Sequence, residues 1–122
     1  MDKIQFGTRG ESLAKQHLVN RGYIILEENW RFQHLELDLI VADDEHVVFV
    51  EVKTSLGDSV GRPEWQIKKS KVNQVRRMAQ YYLTTSDILY TSLRIDILCI
   101  DLNNQYKVKD LRYYKAVGMD FS

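Results

Sequence analysis

Asp38 and Glu51 are carboxylates set into two otherwise apolar runs, LELDLIVA and VVFVEVKTS, and Lys53 follows Glu51 by two residues. Carboxylate oxygens are the donors that Mg²⁺ and Mn²⁺ prefer, so acids converging from neighbouring strands point to a divalent-metal site. A strand that could have stayed apolar from Val47 to Ser55 gives up burial at Glu51 and Lys53. Convergence depends on how the two runs pair.

The runs Leu35–Ala42 and Val47–Lys53 are separated only by DDEH, short enough for a hairpin. Pairing symmetric about the Asp44–Glu45 bond sets Leu37 against Val52, Leu39 against Val50 and Val41 against Val48, a wholly apolar face. The other face then pairs Ala42 with Val47, Ile40 with Phe49, Asp38 with Glu51 and Glu36 with Lys53. A slip of one residue mixes the faces, whereas a slip of two preserves them, so this register is preferred rather than required. Directly opposed residues have Cβ atoms about 4.5–5.5 Å apart, and like charges there destabilise the pair. Lys53, about 6.6 Å along the strand from Glu51, is one cation against Glu36, Asp38 and Glu51. A divalent ion repairs the deficit. The residues alone also allow a plainer arrangement, in which Glu36 pairs with Lys53, Asp38 takes a backbone donor or an arginine, and Glu51 lies at a solvated sheet edge.

Two helices are expected to flank these strands. Thr8–Arg21 is read as the first, ending at Gly22 as C′ residue and starting at a capping box of Thr8 and Glu11. Its arc of Gly10, Leu13, Ala14, His17 and Leu18 faces the sheet, with Glu11 just beyond, so Glu11 can cap the helix, reach the sheet surface, or both. The second helix, from about Ile67 to Leu83, has an apolar stripe of Ile67, Val75, Met78, Ala79 and Tyr82 that also contains Lys68 and Lys71. Both lysines can snorkel to solvent, or Lys71 can meet a phosphate above the carboxylates. Tyr23–Phe32, SLRIDILCI and the edge strand QYKVKDLRYY complete the order α-β-β-β-α-β-β, an α/β (α+β) fold with a mixed sheet of about five strands.

With 122 residues, 44% of them apolar, the chain is expected to form a single domain over 1–122. The formal charge is zero, so no overall field attracts nucleic acid or an anionic membrane, yet the charges are segregated. His34–Val52 holds six acids and no Lys or Arg, whereas Arg62–Arg77 holds six bases against one acid, Glu64, so one segment suits a cation and the other a polyanion. Cys99 is the sole cysteine, which excludes an intramolecular disulfide, and its apolar context predicts a buried thiol. The N-terminus lacks an apolar h-region and no run approaches the length of a membrane span, so a cytoplasmic protein is expected. His17, His34 and His46 lack metal-ligand spacing, Arg94 and Asp96 are expected to form a structural ion pair, and Trp30 and Trp65 are expected to serve packing rather than base stacking.

Asp38 followed, after twelve intervening residues, by Glu51-Val52-Lys53 resembles the D…(D/E)-x-K signature of the restriction-endonuclease-like PD-(D/E)XK nuclease superfamily. The blocks GESLAKQHLVNRGYIILEENWR, ELDLIVAD, VVFVEVKTS, SKVNQVRRMAQYYL and LRIDILCID resemble successive blocks of the small bacterial YraN-like family, over roughly Gly10 to Asp101. The sequence departs from the pattern at Leu35, where a glycine is usual, and no proline precedes Asp38. The resemblance implies a nuclease fold similar to that of archaeal Holliday-junction resolvases and metal-assisted phosphodiester hydrolysis, with branched DNA among the possible substrates. It assigns Asp38, Glu51, the carbonyl of Val52 and Glu11 to Mg²⁺ or Mn²⁺, Lys53 to the attacking water or the transition state, and Lys71 to the second-helix lysine. Lys68, Lys69, Lys71, Arg76 and Arg77 would contact nucleic-acid phosphates, affinity without sequence preference. Related nucleases often dimerise, so a homodimer is compatible with it. A non-catalytic nucleic-acid-binding accessory of the same fold and a protein-interaction domain are the rival expectations.

Overall fold

The computed structural model of the protein describes residues 3–57, 69–88 and 92–117. Its elements are α1 (Lys3–Asn20), β1 (Ile24–Phe32), β2 (Leu35–Ala42), β3 (His46–Leu56), α2 (Lys69–Thr85), β4 (Ser92–Leu102) and β5 (Val108–Tyr114), the expected order. They build a mixed five-stranded sheet in the order β1-β2-β3-β4-β5, antiparallel throughout except for the parallel pair β3–β4. A parallel pair needs a long crossover, and α2 lies within it.

The apolar runs of β2 and β3 follow from burial on both sides. On one face Ala14 and Leu18 of α1 pack over Leu39, Val41, Val48, Val50 and Leu98. On the other, Val72, Val75, Met78, Ala79 and Tyr82 of α2 pack over Ile40, Val47, Phe49 and Ile95. Cys99 is buried, as expected. Among the described residues, no helix is long and apolar enough to cross a membrane.

The first helix differs from expectation at one end. Because α1 already runs from Lys3, Thr8 is interior and no Thr8–Glu11 capping box exists. Phe6 packs against the α1-side core, so the buried stripe extends one turn upstream of the Gly10–Leu18 arc and draws the helix with it. The other end is as expected. Gly22, at φ 93°, donates to Val19 O and Tyr23 donates to Leu18 O, the paired bonds of a Schellman cap.

Gly10 sets how closely α1 approaches β3. A Cβ there would overlap Thr54 Oγ1 and lie 3.0 Å from Thr54 Cβ. Gly10→Ala is therefore expected to cost about 1–3 kcal/mol of stability in a denaturant titration, despite alanine's better helix propensity, with part of the loss restored by Thr54→Gly.

The β2–β3 register matches expectation from Ala42↔Val47 through Leu39↔Val50. Beyond Leu39 the ladder stops, and neither Asp38↔Glu51 nor Glu36↔Lys53 forms as a pair. Leu37 joins the α2-side core while Leu39 joins the α1-side core, so the expected apolar face with both leucines is not realised. Period-2 alternation fails between them, at Asp38. Asn29 of β1, lying between the partners of Leu39 and Leu37, has φ 49°. Both strands thus bend at one level.

Candidate functional site

Where the ladder ends, Asp38 takes its place. Its Oδ2 accepts the Val52 N–H at 2.8 Å, so the carboxylate lies in the gap between β2 and β3. The backbone donor foreseen in the plainer arrangement is thus present. In an extended strand the N–H and C=O of one residue point to the same side, so the Val52 carbonyl faces that gap too.

On the α1 side, Glu11 and Glu36 close on Asp38, with one carboxylate oxygen from each of the three lying within 4.8 Å of the others. Asn29 stands between the two glutamates. With its amide nitrogen turned toward both, it donates to Glu11 Oε1 and Glu36 Oε1 at 2.9 Å each. The left-handed backbone at Asn29 is one that asparagine tolerates better than most residues. Glu36 pairs with Arg31 at 3.2 Å rather than with Lys53.

On the α2 side, Glu51 follows Val47 and Phe49 along the same face of β3. Only 7% of it is exposed, and among the described residues its Oε1 is buried without a hydrogen-bond partner. Lys71 Nζ stands 3.7 Å from Oε2. Glu51, Lys53 and Lys71 line a cleft floored by Val72, Val75, Ile95 and Ile97. Burial, reinforced by the charge of Asp38, pushes Glu51 up to about 7 against the opposing pull of Lys71 and Lys53. Asp38 is raised as well, chiefly by burial and further by Glu11, although the Val52 N–H, Lys53 and Lys71 oppose it.

The donor set fits a hard divalent cation. It offers carboxylate oxygens from one helix and two strands, a carbonyl in a broken ladder, and one buried oxygen without a hydrogen-bond partner among the described residues. Of the residues expected there, Glu11 and Asp38 lie together, and Glu51 reaches Asp38 electrostatically without joining the close trio. Glu36 and Asn29 were outside the expected set. Glu36 was misplaced by extending the ladder past Leu39, and the signal for Asn29 was an asparagine inside an otherwise strand-like run.

A family model spans residues 10–100, from the middle of α1 into β4. The chain belongs to UPF0102, an uncharacterised protein family. A UPF0102 protein of Mycobacterium avium is 36% identical over 120 residues, covering 97% of this chain and 93% of that protein. One from Mycobacterium tuberculosis is 34% identical over 122 residues, covering 97% and 95%. A third, from Thermodesulfovibrio yellowstonii, is 36% identical over 101 residues, covering 83% and 89%.

In this UPF0102 chain the basic residues of α2 point in different directions. Lys71 turns inward to Glu51, whereas Arg77 lines a recess with Phe32, His34 and Gln74 beside the β1–β2 turn. Lys69 is exposed and Arg76 half-buried, and Lys68 and Trp65 lie outside the described residues. Trp30 packs edge-on against Tyr82 at 5.2 Å and parallel to Phe32 at 6.3 Å, a packing role as expected. His46 is bound to Asp43 at 3.2 Å. The Arg94–Asp96 pair is present at 2.9 Å, with Asp96 fully buried and also accepting from Tyr113 and from the Ala116 N–H.

Proposed function

We propose that the protein is a single-domain, Mg²⁺- or Mn²⁺-dependent nuclease of the PD-(D/E)XK type, hydrolysing phosphodiester bonds in nucleic acid, DNA in the first instance. The observation that carries this reading is the buried Oε1 of Glu51, unpartnered among the described residues, on a carboxylate that feels the charge of an Asp38 seated in a gap of the sheet. Native proteins rarely leave such an oxygen unsatisfied, and a cation is one ligand that would satisfy it. Asp38, Glu51, the Val52 carbonyl and Glu11 would hold the ion, with Glu36 at hand through the close trio. Bound there, it would lower the pKa of a coordinated water and offset charge on the scissile phosphate.

The chain's own residues supply the rest. Lys53, in the same cleft, orients the attacking water or stabilises negative charge on the phosphate. Lys71 holds Glu51 in place and offers its charge to an incoming phosphate, while Lys69, Arg76 and Arg77 extend positive charge along α2 for backbone contacts.

The Lys71–Glu51 contact also favours a second reading, since that ammonium already supplies part of the counter-charge an ion would bring. On that reading the protein is a nucleic-acid-binding accessory without catalysis. Incubation with branched and single-stranded DNA separates the two. Mn²⁺-dependent cleavage abolished by Asp38→Ala and by Glu51→Ala supports the nuclease. Salt-sensitive binding that survives both substitutions but is lost on neutralising Lys69 and Lys71, with no cleavage at any metal concentration, supports the accessory.

A further inference from the structure

An open cavity of about 690 Å³ lies between the C-terminal half of α1 and β5, away from the carboxylate cluster. Its lining includes His17, Arg21, Tyr23, Tyr113 and Lys115. Among the described residues, no carboxylate lines it, and neither Arg21 nor Lys115 forms an ion pair. We propose that this cavity binds a phosphomonoester carried on a nucleoside, either a free nucleotide or the phosphorylated end of a nucleic-acid strand.

Charge and rigidity both support the assignment. Arg21 from the end of α1 and Lys115 from the end of β5 both line the cavity, as does His17, whose ring is 5.7 Å from that of Tyr113. The tyrosines are fixed from behind. Tyr113 donates to the buried Asp96, Arg94 donates to the Tyr23 hydroxyl at 2.6 Å, and Asp96 balances Arg94, so this network adds no net charge. Aromatic walls already held in place offer a stacking surface at little ordering cost. The negative end of the α1 dipole opposes an anion here. Its effect is reduced because Leu18 O and Val19 O are occupied by the Schellman bonds rather than facing the cavity. A guanidinium and an ammonium lining the same cavity as two tyrosines suit a phosphate attached to a base better than a bare anion.

Glu11 and Arg21 share α1, about 15 Å apart along its axis. The cavity therefore lies within reach of a short strand engaged at the carboxylate cluster, but the proposal does not require that cluster to bind metal. The test uses the full chain in EDTA, titrated calorimetrically with adenosine 5′-monophosphate, adenosine and inorganic phosphate. It also uses one short single-stranded oligonucleotide with either a 5′-phosphate or a 5′-hydroxyl. At least one phosphorylated probe is expected to bind about tenfold or more tightly than its unphosphorylated counterpart. Arg21→Gln and Lys115→Gln, both at exposed positions, are each expected to weaken it about tenfold. Preference confined to the mononucleotide identifies a free nucleotide as the ligand, and preference for the phosphorylated oligonucleotide identifies a strand end. Absence of binding, equal affinity with and without the phosphate, or indifference to both charge-removing substitutions overturns the proposal, whatever becomes of the nuclease reading.

Discussion

Asp38→Asn is expected to abolish Mn²⁺ binding in calorimetry and to lower metal-dependent cleavage by about a thousandfold or more. The substitution is chosen for what it preserves. An asparagine carbonyl can still accept the Val52 N–H that Asp38 Oδ2 accepts at 2.8 Å, so the gap between β2 and β3 keeps its filler. What disappears is one negative charge from the trio with Glu11 and Glu36. Melting temperature serves as the control. A variant that folds as well as the parent and still binds Mn²⁺ with unchanged affinity would remove the metal site from the account.

The second large effect concerns pH in the absence of metal. A carboxyl held at about 7 in the folded chain but near 4.5 when unfolded binds more protons in the native state between those values. Stability therefore falls as pH rises through that window, by about 3 kcal/mol in all, and levels off above it. Asp38, also raised, contributes with the same sign. Denaturant titrations in EDTA from pH 5 to pH 8 are expected to show this decline, and Glu51→Gln is expected to remove most of it. Mn²⁺ favours the ionised carboxylate and is expected to restore stability at pH 8. A wild-type profile that is flat or rises with pH would mean that Glu51 is solvated or firmly paired, and the orphaned oxygen would lose its significance.

Much of the fold was legible because burial on two faces leaves few choices. The β2–β3 register from Ala42 to Leu39 followed from a short turn and alternating side chains, and Gly22 marked the end of α1 because few other residues adopt its φ of 93° so readily. Legibility stopped where the backbone left its period. Nothing in a pattern of apolar and polar residues reveals that Asn29 turns left-handed or that a side chain replaces a ladder bond at Asp38. Hence Asp38, Glu51 and Glu11 stand out in the sequence as candidates, but their arrangement does not. Glu36 was assigned to Lys53 by continuing a ladder that ends earlier. The start of α1 was misplaced for a different reason, since Thr8 and Glu11 fit a capping pattern that a longer amphipathic helix overrides.

Asp38 belongs to neither side of the sheet. Its proton affinity responds to Glu11 on one helix and to Lys71 on the other, although the two helices are separated by a layer of β-structure. Asp38 is thus linked by charge to both layers of helix, so whatever settles against the acids of the first helix also acts, through Asp38, on a lysine on the far side.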